Sequence, residues 1–395
     1  MTIQRPEIYQ MKRSTLIGSC VAALLAVTVY FSHGSSANAL TKDTVAIMSN
    51  IQNGDTEISR IGRMSFAPNG VLLVADIGSA SVVAIDTGDT GPVKKLAERI
   101  NDVDKKIGAA LGTDKDGIKI ADMAVNPASG KIYVSVQRKA DGLNTIVTFD
   151  DKGTLATLNL KKARFVRVSL PVADQKKISN ISGVEFTNGR VLAAGQSNEE
   201  FSSKIYSLPL PLTHGDSGEV YSTETYHVAH GRWETRAPIQ SFIPYQEEGE
   251  DYIVGSFACT PIAKFKISDI KKDAPIKGTS VVELGSGNRP MDMFTYEKNG
   301  KKWLITNTDR FHHERRPLGP SQYWGVRVDM SYLQADKINE EAARRIVTEK
   351  SGPNGIEVVD ALFFAKHVAK LNNDEMVILR DNKGALDLEI SKLPE

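Results

Sequence analysis

The residues best suited to chemistry fall in two loops. One reads His230-Gly-Arg-Trp233-Glu234-Thr-Arg236, with Cys259-Thr-Pro a short way downstream. Imidazole, carboxylate and thiolate together ligate a soft or borderline ion such as copper or zinc. They also suit a thiol beside a base. The structural alternative is a loop in which Trp233 packs down and Glu234 pairs with Arg236. The second loop is Arg310-Phe-His312-His313-Glu314-Arg315-Arg316. Its histidines could join His230 on a metal, or its arginines could clamp an anion; a solvated lid is the plainer use of so long a loop. His227-Val-Ala-His230 has metal-like spacing, but strand alternation points His227 into a sheet. Asp114-Lys-Asp116-Gly117 lacks the further ligands of a calcium loop. The chain has no Gly-x-Ser-x-Gly elbow, phosphate-cradling loop, Cys-x-x-Cys-His haem site or zincin helix.

Five hairpins must position these loops. They turn at Gly70, Gly130, Gly189, Gly249 and Gly300, at intervals of 60, 59, 60 and 51 residues. Each is an alternating strand, a polar turn with glycine, and a second strand. Glycine belongs there because tight turns need positive φ. A four-stranded unit repeated at this period predicts an all-β propeller. The expected count is six blades, with seven as the alternative if an irregular blade occupies 325–355. The apolar spacing of Leu96, Ile100, Val103, Ile107 and Leu111 predicts a helical insert over 93–111. A second helix is expected over 335–347. Blade six is placed at 356–393, lacking an outer strand that Thr44-Val-Ala-Ile-Met would supply, so that both termini close the ring.

In a propeller the first strand of each blade lines the channel. Asp122 and Asp292 hold equivalent places there, with Gln240 as the third polar residue in that register; capping and channel water are the structural alternative. Topology puts the loops entering first strands on the same face as those joining second and third strands. That face collects His230, Cys259, His312 and His313.

At 395 residues with net charge +1, the chain shows no basic face or polybasic tail that would suggest nucleic acid. Lys12 and Arg13, the mostly apolar run Thr15–Phe31 and Ala37-Asn38-Ala39 predict an export signal over 1–39. The run falls short of a spanning helix, and an uncleaved anchor is the alternative. The expected organisation is therefore a signal followed by one propeller domain, 40–395, periplasmic or secreted. Cys259 is then the one remaining cysteine, so no internal disulfide is possible and the thiol is reactive, ligating or simply buried.

The hairpins Phe66-Ala-Pro-Asn-Gly70 and Val125-Asn-Pro-Ala-Ser-Gly130 resemble those of NHL and YncE-like secreted propellers. The stretch His230…Glu234…Cys259-Thr-Pro…Asn288-Arg289-Pro-Met-Asp292-Met is similar to that of a group of exported bacterial propellers. This resemblance implies fold and location and supplies no reaction. The chain also resembles, more loosely, six-bladed lactonases of the gluconolactonase type. That resemblance implies a divalent cation such as calcium in the channel, on Asn180, Glu185 and Asp292. The lactonases' early Glu-Gly-Pro is absent here, where the chain reads Ile61-Gly-Arg63. Quinone-dependent propeller dehydrogenases carry repeated tryptophan docking motifs, which are missing from a chain with three tryptophans.

These readings lead to an exported propeller with a loop-rich face. Its expected partner is a small ligand or a periplasmic protein, and a copper, zinc or calcium ion is a further possibility. A metal-dependent oxidoreductase or lactonase-like hydrolase on the same face is the alternative. The expected ligand-binding residues are Asp122, Asn180, Glu185, Glu234, Arg236, Gln240, Arg289 and Asp292.

Overall fold

The structure, a computed structural model, describes residues 46–395 apart from 174, 188, 228–229, 259–260, 270–274, 285–286, 316, 318 and 335–354. The expected signal 1–39, Cys259 and the helix expected over 335–347 lie outside the described residues.

The described chain is a six-bladed β-propeller. All five hairpin glycines have positive φ, between 71° and 82°. At Gly70 a Cβ would also lie 2.4 Å from the Asp89 carbonyl oxygen, so no other residue fits. The innermost strands of blades one to six are Ile61–Ala67, Ile118–Val125, Ile178–Thr187, Ile239–Glu247, Asn288–Lys298 and Ala365–Lys370. Each leads outward through an antiparallel meander.

Ring order differs from chain order. Blade one packs one face on blade three, through Leu73, Val82, Val184 and Tyr206. Its other face meets blade two, through Met64, Val74, Ala124 and Tyr133. Blade two then meets blade six, through Val134, Val136, Val377 and Leu379. Three further cores join three to four, four to five and five to six. The sequence around the ring is therefore two, one, three, four, five, six. The fourth strand of blade one arrives late, as Ala163–Ser169, after blade two is complete.

Closure by the N-terminal segment is corrected by this arrangement. Met48–Ser49 pairs in parallel with Leu212–Thr213, beyond blade three, where Ile47 is buried against Leu212 and Val168. Among the described residues blade six has three strands, and Ile356–Val358, expected in it, is instead the outer strand of blade five. Its open edge is covered by the 93–111 insert. Ile100 and Leu388 exchange two backbone hydrogen bonds, of 2.8 and 2.9 Å. Arg99 reaches Asp387 and Glu389. An edge strand needs both backbone partners and apolar cover, and this segment supplies both. The helix within it, α1, spans only Val103–Ala110. Leu96 and Ile100 owe their burial to an irregular segment and a bridge, which mimicked helical spacing.

Candidate functional site

Every innermost strand slips register at the same depth. The irregularities fall at Ile61/Met64, Ile120/Asp122, Ile181/Gly183, Ile239/Ser241, Pro290/Met293 and Ala365/His367. A bulge leaves a residue unpaired and re-aims its side chain. Three of the blades use this to bring Arg63, Asp122 and Asp292 together.

Arg63 Nη1 donates to Asp122 Oδ1 at 2.8 Å and to Asp292 Oδ1, while Nη2 donates to the Met291 carbonyl. The remaining carboxylate oxygens accept from backbone, Asp122 Oδ2 from Met64 N at 2.7 Å and Asp292 Oδ2 from Val368 N at 3.0 Å. His367 Nδ1 stands 3.3 Å from Asp292 Oδ2 without an aligned hydrogen bond. Burial works against the Arg63 charge, and the two carboxylates more than offset it. Burial would also raise Asp292, but His367 and Arg63 hold it well below the usual range. Asp122 goes the other way, raised by burial and by the charge on Asp292. Two carboxylates sharing one guanidinium split in this manner.

This cluster separates two chambers, both lined by Arg63 and Ser182. The lower one, about 340 Å³, holds Glu185. Glu185 is half-buried on the channel wall, and desolvation plus the Asp122 charge push its pKa up to about 8. A carboxyl raised on folding stabilises the fold fully below its unfolded value and loses that contribution as pH rises through about 8. Glu185→Gln should therefore match wild type near pH 4 and exceed it at pH 9, by roughly 1–2 kcal/mol after a discount for its half-buried position. Urea unfolding at the two pH values tests this, and an equal difference at both would reject it.

The upper chamber, about 540 Å³, is lined by Asn180, Gln240, Gln137, Tyr323 and His367, with Arg60, Lys119, Arg289 and Lys366 around it. Asp309 is the acid among these lining residues, and it pairs with Arg289 at 2.8 Å. Lys366 lies 5.8 Å from the Tyr323 ring. Gln240 donates to the Pro238 carbonyl rather than joining the Arg63 cluster.

The expected channel cation set is not assembled. Asn180 lines the upper chamber and Glu185 the lower, while Asp292 is engaged by Arg63. Asp122, Asp292 and His367 do place three donor atoms within 4.8 Å of one another. A divalent ion there would face a guanidinium already seated between the carboxylates.

A second constellation lies at the outer edge of blade three, where Glu219–His227 pairs with Arg232–Glu234. His230 Nδ1 meets Glu234 Oε1 at 2.6 Å, and His227 Nδ1 meets Glu234 Oε2 at 3.3 Å. Partial burial would raise Glu234, but the His230 hydrogen bond and His227 outweigh it and lower its pKa. Arg236 lines the adjoining cavity of about 420 Å³ and makes no ion pair with Glu234 among the described contacts. His227 is buried, as expected for a strand residue, yet its ring joins the cluster instead of entering the sheet core. His312 is exposed, with φ 62°. His313 is half-buried, lowered by burial and by Arg310. Among the described residues neither enters a three-donor group.

Sequence reasoning missed Arg63, although a signal was present. Arg63-Met64, Asp122-Met123 and Asp292-Met293 repeat a charged residue before methionine in one register. A cation opposite two acids was there to be paired.

The fold and this channel define a β-propeller with a polar, charge-divided axis. No protein-family model matches the chain, and no curated protein sequence matches it. Among solved structures it is similar to the PQQ-bound aldose sugar dehydrogenase from Streptomyces coelicolor, at 14% identity over 87% of this chain and 98% of that one, TM-score 0.33. It is also similar to the dihydro-heme d1 dehydrogenase NirN in complex with DHE, at 11% identity over 82% of this chain and 55% of that one, TM-score 0.31. Neither assigns a residue or a reaction to this chain.

Proposed function

We propose that this is an exported propeller that binds a small anion in the upper chamber. The observation that carries the reading is the ring of Arg60, Lys119, Arg289 and Lys366 around that chamber, with Asp309 offsetting one of them. The Lys119 side chain makes no ion pair or hydrogen bond among the described contacts and is exposed. Beneath, the Asp122–Arg63–Asp292 cluster sets two acids against one guanidinium, an excess of one acid that Arg60, Lys119 and Lys366 on the rim outnumber. Cationic side chains over polar Asn180, Gln137 and Gln240 suit a carboxylate or phosphate attached to a hydroxylated body. A chamber of about 540 Å³ suits a molecule of metabolite size. Export rests on the N-terminal pattern of Lys12, Arg13 and Ala37-Asn38-Ala39. The likeness of the hairpins to secreted NHL-like propellers supports the same location.

Calorimetry with a dicarboxylate, inorganic phosphate and a neutral sugar tests the reading. Binding of an anion, weakened by salt and at least tenfold weaker in Lys119→Gln/Lys366→Gln, is expected. A neutral sugar binding as tightly, or a double variant that binds the anions unchanged, would overturn it.

A further inference from the structure

We infer that His227, His230 and Glu234 form a transition-metal site, with zinc(II) as its reference ion. The site lies on the outer edge of blade three, away from the channel, and stands independently of the anion reading.

Geometry comes first. The ligand atoms of the three side chains all lie within 4.8 Å of one another. Tetrahedral zinc with arms of about 2.0–2.1 Å holds its donors roughly 3.3–3.5 Å apart. His227 Nδ1 lies 3.3 Å from Glu234 Oε2 and His230 Nδ1 lies 2.6 Å from Glu234 Oε1, so an ion between the imidazoles faces both carboxylate oxygens once the His230 ring moves slightly outward. His230 is exposed, and rotation of its side chain can supply that movement.

The tautomer of His227 supplies the second argument. This ring is 2% exposed, and both its nitrogens face carboxylates. Nδ1 is 3.3 Å from Glu234 and Nε2 is 3.8 Å from Glu283. With an ion at Nδ1, that nitrogen gives its lone pair to the metal and Nε2–H turns to Glu283. Glu283 is fully buried and takes the part of the carboxylate that orients a metal-bound histidine.

The site also has an open side. A cavity of about 420 Å³ adjoins the three donors, bounded by Trp233, Arg236 and Pro238. Water or a ligand group can complete a fourth position there. Two imidazoles and one carboxylate select zinc or copper(II) over calcium or magnesium, which prefer oxygen alone.

The purified protein, freed of metal with a chelator, is titrated with Zn(II) by calorimetry and with Co(II) by visible absorption. One equivalent per chain is expected, with the intense d–d bands of four-coordinate Co(II). Cu(II) should quench the fluorescence of Trp233, which adjoins Glu234. His230→Ala and Glu234→Gln should each weaken Zn(II) binding at least 100-fold. Glu283→Gln should weaken it 10- to 100-fold while keeping one equivalent. His312→Ala/His313→Ala should bind as wild type. His230 is partly exposed, so its variant should keep the wild-type circular dichroism, which guards against reading misfolding as lost ligation. Absence of saturable binding, or one equivalent retained in His230→Ala/Glu234→Gln, would overturn the site. Anion binding in the channel should be unchanged in His230→Ala, so the two readings can fail separately.

Discussion

Arg63→Met should destabilise the protein by about 3–5 kcal/mol at neutral pH, because it leaves two buried carboxylates without their shared cation. The loss should shrink on acidification. In wild type, Asp292 has a lowered pKa, so it contributes stability above the unfolded carboxylate range and loses it as pH falls through that lowered value. In the variant burial and mutual repulsion act on the two carboxylates with His367 and the backbone donors alone opposing them, so both shift upward from wild type and penalise the fold as pH rises. The two curves therefore converge near pH 4 and separate above it. Denaturant unfolding across that range measures the gap. Arg63→Met/Asp122→Asn/Asp292→Asn should recover part of the loss, since neutral amides do not need the guanidinium. A pH-independent loss below about 1 kcal/mol would contradict the buried-pair account.

Asp76→Ala should be nearly as costly, at about 3–5 kcal/mol. Asp76 is fully buried. It accepts hydrogen bonds from the Ser59, Arg60 and Gly78 amides and from the Ser59 and Ser79 hydroxyls. Arg167 also binds it, at 2.8 Å. Burial alone would raise its pKa, and the donors from Ser79, Arg167, Arg60 and Ser59 bring it down to about 2. A carboxyl lowered from 3.8 to about 2 contributes roughly 2–3 kcal/mol above the unfolded value, lost as pH falls through about 2. Arg167 stands on the strand that joins blade one after blade two, and it also binds the Thr56 carbonyl at 2.6 Å. The variant should therefore loosen that strand first, seen as faster amide exchange over 163–169 than over 71–76. Equal acceleration in both strands would mean that the clasp is not specific to the late strand.

The blades were legible because each hairpin carries its own local signature. Asn69 and Gly70, or Asn299 and Gly300, take positive φ and stand between alternating strands, so the turn chemistry can be read directly. The ring order could not be read. Leu73 and Val74 face different neighbouring blades, yet both are simply apolar residues in a strand. Nothing in such alternation names the partner sheet. The channel register was partly legible: Asp122 and Asp292 do meet, though Gln240 stays apart. Their common partner Arg63 sits on a different blade, and apart from the methionine that follows it, a lone arginine in Ile61-Gly-Arg63 carries no mark of the two distant acids it joins. His227 was assigned to the sheet by two-residue alternation. That rule holds within a strand, but His227 is the last residue of one. The Arg232–Glu234 hairpin brings a carboxylate back over it.

The seam between Ile100 and Leu388 also sets a schedule for biosynthesis. A chain emerging from the ribosome can stack blades one and two early, with their interleaved strand, and add three to five as each is made. The exposed flank of blade two must wait for residues near 388 before it is covered. Until then a growing chain carries two unsealed apolar flanks, those of blade two and of the newest blade. A holding chaperone would meet the protein in that open, sticky form, and completion of the strand Ala385–Lys392 would end the exposure.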